Sequence, residues 1–350
     1  MNGLTIFDLI NAKEIATYWL GTASERIPYL GETLFPAKKQ LGLDLSWIKG
    51  SRGLPVALMP SEFDTPATLR DRIGVEKIET EMPFFREGMR IGEKERQELN
   101  KAAAAANADM IMPIINNIYD DAGALVAGAE VQAERMRMQL LSTGKISIMA
   151  NRLAYDYDYQ FDANHSETIA DVGDKWSAVD TAKPIEDIQR WQDVVEEDTG
   201  VRPTRAICTR KTWNYLLMNK SIKLDMNPAG GQNVILTDSM LQQYLVAKLG
   251  LTVQVYNKKF SLAGVPTLFY PDDKITLIPD SGLGNTYYGT TPEESDLMAG
   301  GTDAQVQIVN TGVAITTIKE PHPVNVFTVV SAIMLPSFEQ IDNIFIGAVA

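Results

Sequence analysis

The chain has 350 residues, with 45 acidic side chains against 32 basic ones and a formal net charge of −13. That length, with 45% apolar residues, supports a sizeable core and two domains. The charge argues against tight direct phosphate binding, which needs concentrated Lys and Arg; the single cysteine excludes an internal disulfide, and two histidines leave little for a metal site.

Residues 1–42 do not read as the start of a compact domain. Asn11 to Leu20 makes one short helix with Ile15, Tyr18 and Trp19 clustered, and then Gly21, Pro28, Gly31, Pro36 and Gly42 interrupt the chain too often for regular structure. Apolar anchors persist at Ile27, Tyr29, Leu30, Leu34 and Phe35. The expectation is an irregular arm lying on another surface, such as a neighbouring subunit.

Residues 43–92 read as strands. Leu43, Leu45 and Trp47 alternate with Asp44 and Ser46, and a turn or loop follows at Lys49 to Gly53. Arg70 to Glu81 carries Arg72, Glu76, Lys77, Glu79 and Glu81, so neither face covers a core. This segment is expected to project over a neighbour as a hairpin.

Glu93 to Ala108 predicts a lead-in helix. Ile111, Ile115, Ile118, Ala122, Leu125, Ala129, Ala133, Met136 and Leu140 then recur every three or four residues. That is the period of a straight α-helix with one apolar stripe, here placed at 109–143. Asp109 is the expected cap, and Pro113 belongs in the first turn, where no N–H is needed. Arg135, Arg137 and Lys145 put cations near the end, and Gly144 is a stop free to adopt the left-handed conformation.

In Tyr155 to Asp162, Tyr155, Tyr157, Tyr159 and Phe161 share one face of a strand and Asp156, Asp158 and Asp162 the other. Acids alternating on a straight strand diverge, whereas Ca²⁺ needs converging oxygens, so a solvated face is expected. From Ile185 the pattern alternates. Helix 185–197 turns Ile188, Trp191, Val194 and Val195 inward, strand 204–208 ends at a buried Cys208, and helix 210–218 carries Trp213, Leu216 and Leu217. A helix from Asp238 to Leu249 and a strand from Thr252 to Tyr256 follow.

This order suggests a nucleotide-binding enzyme, yet its chemistry is missing. No GxxxxGK[ST] loop, GxSxG elbow or HExxH pair occurs, and Gly282 and Gly284 lack the third glycine of a dinucleotide loop. His165 and His322 are the only imidazoles open to a triad. No catalytic, cofactor-binding or metal residue is assigned, and no cofactor is expected. Strands at 306–309 and 313–318 lead to Val324–Leu335 and Ile341–Val349, two apolar strands expected to pair with the sheet beside the long helix. The α/β region 185–317 is then an insertion between 93–184 and 318–350. The apolar runs are too short to span a bilayer and no leader opens the chain, so a soluble cytoplasmic product with no membrane partner is expected.

An anchored arm, a charged hairpin, a spine helix and an inserted α/β domain together resemble a shell subunit of tailed bacteriophages. Within that α+β fold the sequence resembles the lambda-type major capsid protein (major capsid protein E) family. The resemblance rests on the order and spacing of Leu34-Phe35-Pro36, Trp47-Ile48-Lys49-Gly50 with Leu54-Pro55, and Ile118-Tyr119-Asp120-Asp121. Leu140 to Lys145, Gly312-Val313-Ala314 and Leu335-Pro336-Ser337-Phe338 extend it over nearly the whole chain. It implies an N-terminal arm (1–42), an extended loop (43–92), a peripheral domain with the spine helix (93–184 plus 318–350) and an axial domain (185–317).

It also implies a virion protein, assembled in the host bacterial cytoplasm as hexamers and pentamers around double-stranded DNA bound without sequence specificity. A separate scaffolding protein and a portal protein are implied partners, and a decoration protein is left open. Some relatives cross-link through a loop lysine; Lys77 is the only lysine between Lys49 and Lys94, and no cross-link is expected. An encapsulin-like compartment is the rival reading, and an α/β hydrolase or transferase a remote one.

Overall fold

The computed structural model describes residues 10–22, 26–49, 76–104, 108–150, 153–230, 234–300, 304–321 and 324–350. In chain order these form helices α1 (Ala12–Thr22) and α2 (Leu30–Leu34), then strands β1 (Ala37–Lys39), β2 (Asp44–Lys49), β3 (Glu76–Glu81) and β4 (Phe84–Arg90). Helices α3 (Glu93–Ala104) and α4 (Ala108–Thr143) lead to β5 (Lys145–Ala150), β6 (Leu153–Asp158) and β7 (Ser166–Thr168). Next come α5 (Pro184–Thr199), β8 (Arg205–Cys208), α6 (Arg210–Met218), α7 (Lys220–Met226) and α8 (Asp238–Leu249). Strands β9 (Thr252–Val255), β10 (Lys259–Leu262), β11 (Val265–Leu268), β12 (Lys274–Ile278) and β13 (Thr286–Tyr288) precede α9 (Pro292–Ala299). The chain closes with β14 (Gln305–Val309), β15 (Val313–Pro321), β16 (Val324–Pro336) and β17 (Phe345–Ala348).

These elements fall into two compact units: residues 1–45, 79–135 and 285–337, and residues 46–78, 136–284 and 338–350. The first is organised on β16, which pairs antiparallel with β15 on one side and with β4 and β13 on the other. Val329, Val330, Ile333 and Met334 are all buried, so successive residues on opposite faces are both covered. Gly88 of β4 makes room for Phe327, since a Cβ there would stand 2.7 Å from the ring.

The second unit holds a five-stranded sheet in the order β7-β17-β12-β8-β9. Strands β8 and β9 run parallel, as the α6–α8 crossover between them requires. Trp176, Trp191 and Phe345 stack at centroid separations of 5.9 and 5.2 Å, and Gly347 of β17 lies flat beneath Trp191. This core continues through Trp213, Leu216, Ile222, Leu241 and Leu245.

Helix α4 spans 36 residues, about 54 Å at 1.5 Å per residue. Ile115, Ile118, Ala122, Ala133, Met136 and Leu140 are buried as the periodicity predicts, but Val126 is fully enclosed where Leu125 was expected to be. The Asp109 and Ile111 side chains lie outside the described residues. Pro113 sits inside the helix rather than in its first turn, on an exposed face where water can satisfy the carbonyl left without its N–H.

The C-terminal end also differs from expectation. Arg137 is buried, Lys145 pairs with Asp158 at 2.6 Å, and no basic residue occupies the last turn. Instead β12 supplies donors: Lys274 Nζ donates to Ser142 O and Thr276 Oγ1 to Leu141 O, each at 2.8 Å. Carbonyls that the helix leaves without partners are satisfied from another element, with a cation at the negative end of the dipole. Burial lowers the Lys274 pKa. Gly144 ends the helix at φ +69°, as the sequence predicts.

The two closing strands do not share one sheet. Residues 324–336 join β15 and β4 in the first unit, while Phe345–Ala348 pairs antiparallel with β12 in the second. Likewise β13 and β14, which follow the α/β elements in sequence, pair with β16 and β15. Both assignments are made by long-range pairing, for which apolar runs of similar composition carry no local signal.

Candidate assembly surfaces

The arm folds against its own chain for much of its length. Asn11 caps α1, its Oδ1 accepting from Glu14 N at 2.9 Å, and Ile15, Ala16 and Trp19 are buried where the helix packs on β14 and β15. The Tyr18 hydroxyl donates to Asp120 of the spine helix at 2.6 Å, and Arg26 lies over the Trp19 ring. Leu34 and Phe35 are enclosed, Tyr29 and Leu30 half-buried. Ile27 alone of the expected anchors is open, at 79% exposure. The sequence reading that these anchors reach another surface is corrected for Leu34 and Phe35, which complete the chain's own core.

A carboxylate holds the second arm helix. Glu134, fully buried on α4, accepts from Gly31 N at 3.1 Å, at the start of α2. Burial raises the Tyr29 pKa beside it, and the Glu130 and Glu134 charges raise it further. Beyond α2, β1 pairs parallel with β13, and Lys39 Nζ donates to Gly289 O at 3.0 Å and to Glu294.

Of the loop, β2 pairs with β3. Its residues 50–75 and the Lys77 side chain lie outside the described residues. Large apolar side chains stand open on the second unit. Met149 and Ile235 are more than four-fifths exposed, and Leu262 and Val265 flank the tip of the β10–β11 hairpin.

Residues singled out for chemistry are placed as structural parts. Cys208 is buried in β8 and burial pushes its thiol up to about 12. His165 is buried with Nε2 at 3.4 Å from Asp198, and His322 lies outside the described residues. Asp156 and Asp158 share the exposed face of β6, while Asp162 Oδ1 accepts from Asn164 N. Among the described residues no group of acids, histidine or cysteine could hold a metal ion, and no helix is long and apolar enough to cross a membrane. Sequence reasoning missed Glu134, Lys274 and Thr276, because each acts on an element distant in the chain.

The family model described as phage major capsid protein E matches residues 20–349. The chain belongs to this family. Its role is structural: copies associate into the capsid shell, and its place is the virion. Among solved structures, one described as the capsid protein of a prophage of E. coli CFT073 is similar at TM-score 0.61 and 15% identity, over 97% of this chain and 99% of that one. A phage-related protein from Bordetella bronchiseptica RB50 is similar at TM-score 0.56 and 11% identity, over 97% of each chain. At these identities the likeness shows the fold, that of the tailed-phage capsid subunit. No curated protein matches.

Proposed function

We propose that this chain tiles the icosahedral head of a tailed phage as hexamers and pentamers enclosing double-stranded DNA. The observation that carries the proposal is the family match across 20–349, together with an arm, a loop and a spine helix of about 54 Å on one chain. In this reading residues 1–42 are the arm, 43–92 the extended loop, 93–184 with 318–350 the peripheral domain that holds the spine helix, and 185–317 the axial domain. Closed shells need heterologous contacts repeated by rotation. The open Met149, Ile235, Leu262 and Val265 are suited to such contacts.

A net charge of −13 limits adhesion of packaged DNA to the wall, and in this reading the DNA is enclosed without sequence-specific binding. A separate scaffolding protein and a portal protein complete the assembly in the host cytoplasm, with room for a decoration protein. The chain does this without catalysis. Electron microscopy of particles purified from infected or co-expressing cells, with a nuclease-protection assay, tests the proposal. Closed shells protecting DNA support it. Particles that enclose a cargo enzyme and no DNA, or a chain that stays monomeric with its scaffold, refute it. The absence of cross-linking is tested on the same particles: a single band at 38.7 kDa on denaturing gels is expected, and a ladder overturns it.

A further inference from the structure

Charge is divided across the five-stranded sheet of the second unit. Residues 162–202 carry eleven acids against four bases, whereas residues 239–268 carry three lysines and no acid. The strand order β7-β17-β12-β8-β9 puts these two segments at opposite ends of the sheet. The acidic segment supplies β7 and α5, which are joined where Arg190 and Trp191 donate to Glu167. Asp171, Asp174, Glu197 and Asp198 of this segment are exposed, and so is Val172. The lysine-bearing segment supplies α8, β9 and the β10–β11 hairpin. Helix α8 is apolar on two sides: Leu241, Leu245 and Leu249 are buried, while Met240, Val246 and Ala247 are exposed. A helix that is apolar all round is ordinarily covered all round. The hairpin tip, Ser261 to Pro266, is also exposed throughout and carries Leu262 and Val265 close in sequence to the exposed Lys259.

We propose that the lysine-bearing β9 end of this unit docks on the acidic β7 end of the same unit in a neighbouring copy. The inference rests on the shell reading above and names one of its interfaces. Charge identifies the partner: lysines without acids among open apolar side chains complement acids set around Val172, and both surfaces belong to this chain. Two different patches that fit each other make a heterologous contact, which closes into a ring where the rotation allows. A two-fold dimer through either end would instead set like charges together, which opposes it. Lysines also suit nucleic acid. Exposed Met240, Val246, Leu262 and Val265, however, add nothing to a phosphate contact and lose water against a protein surface.

The test is charge reversal on the full-length chain, with assembly followed by sedimentation and electron microscopy. Lys258→Glu with Lys259→Glu reverses one end, and Asp174→Lys with Glu197→Lys reverses the other. Each pair alone should lower the yield of assembled rings and particles roughly tenfold with circular dichroism unchanged, and all four together should restore it to within about threefold. No loss in either pair, or no recovery in the fourfold variant, overturns the proposal. Carbodiimide coupling gives an independent reading on particles built from a mixture of isotopically light and heavy chains. Mixed peptides joining Lys258 or Lys259 to an acid within 162–202 are expected; coupling only within single chains, or only elsewhere, overturns the contact. Loss of DNA from Lys258→Glu, Lys259→Glu particles at unchanged particle yield would assign the lysines to nucleic acid and overturn it as well. An unaltered chain that forms no assembly defeats the shell reading and this inference together, whereas particles that form equally well in every variant defeat this inference alone.

Discussion

Replacing Glu134 with alanine tests whether the arm is held by one buried carboxylate. The wild-type side chain is fully enclosed and accepts from Gly31 N at 3.1 Å, at a buried helix start. Alanine leaves that N–H without its acceptor and opens a gap beneath α2. A hydrogen bond to a charged group contributes about 1.5–3 kcal/mol. At about 1.4 kcal/mol per decade, local opening of the arm should become roughly ten- to a hundredfold more frequent. Amide exchange across 30–35 should quicken by that factor, with strands β8 and β12 unaffected. Glu134→Gln keeps an acceptor and should show a smaller effect. It should also bring the Tyr29 phenol part of the way back toward its ordinary value in ultraviolet titration, because burial still raises it but one of the carboxylate charges that add to the rise is gone. Unchanged exchange at 30–35 in Glu134→Ala would refute the reasoning, and would mean that the burial of Leu34 and Phe35 and the β1–β13 pairing seat this part of the arm without it.

Gly144→Ala should cost about 2–5 kcal/mol, from left-handed backbone strain together with a Cβ placed 2.5 Å from Phe161 Cβ; Gly250→Ala, with open space around it, should cost only the strain of about 1–2 kcal/mol. Urea titration of the two variants measures the difference, and equal losses would show that Phe161 moves aside. Cys208 should resist thiol reagents in the folded protein at pH 8 and react fully in denaturant, because burial keeps it protonated to about pH 12. Burial of Glu167 acts to raise its pKa, but hydrogen bonds from Trp191 and Arg190 outweigh it and the net value is lowered. A lowered folded-state value means that the Glu167 contribution to stability is present above the ordinary carboxylate range and is lost as pH falls through the folded value. Acid titration of Glu167→Gln should therefore show a shallower loss of stability below about pH 4 than the unaltered chain, and parallel curves would dismiss the linkage.

Much of this molecule follows from its sequence because the decisive signals are local. The stripe from Ile115 to Leu140 repeats every turn of a helix, Gly144 permits the left-handed stop, and α6 and α8 begin and end where their polar and apolar residues change over. The family resemblance likewise uses short motifs in order along the chain. What the tertiary structure alone decided is which distant segments meet. The sequence cannot distinguish the sheet that takes Val324–Pro336 from the one that takes Phe345–Ala348, since both runs are apolar and strand register is chosen by the partner. Nor does it show that Trp19, Leu34 and Phe35 serve their own chain's core, that Glu134 meets Gly31, or that Lys274 and Thr276 close the spine helix. Each of these is a contact across more than a hundred residues or a choice of surface. Local periodicity specifies a helix or strand and its apolar face; only the packed chain specifies what that face is buried against.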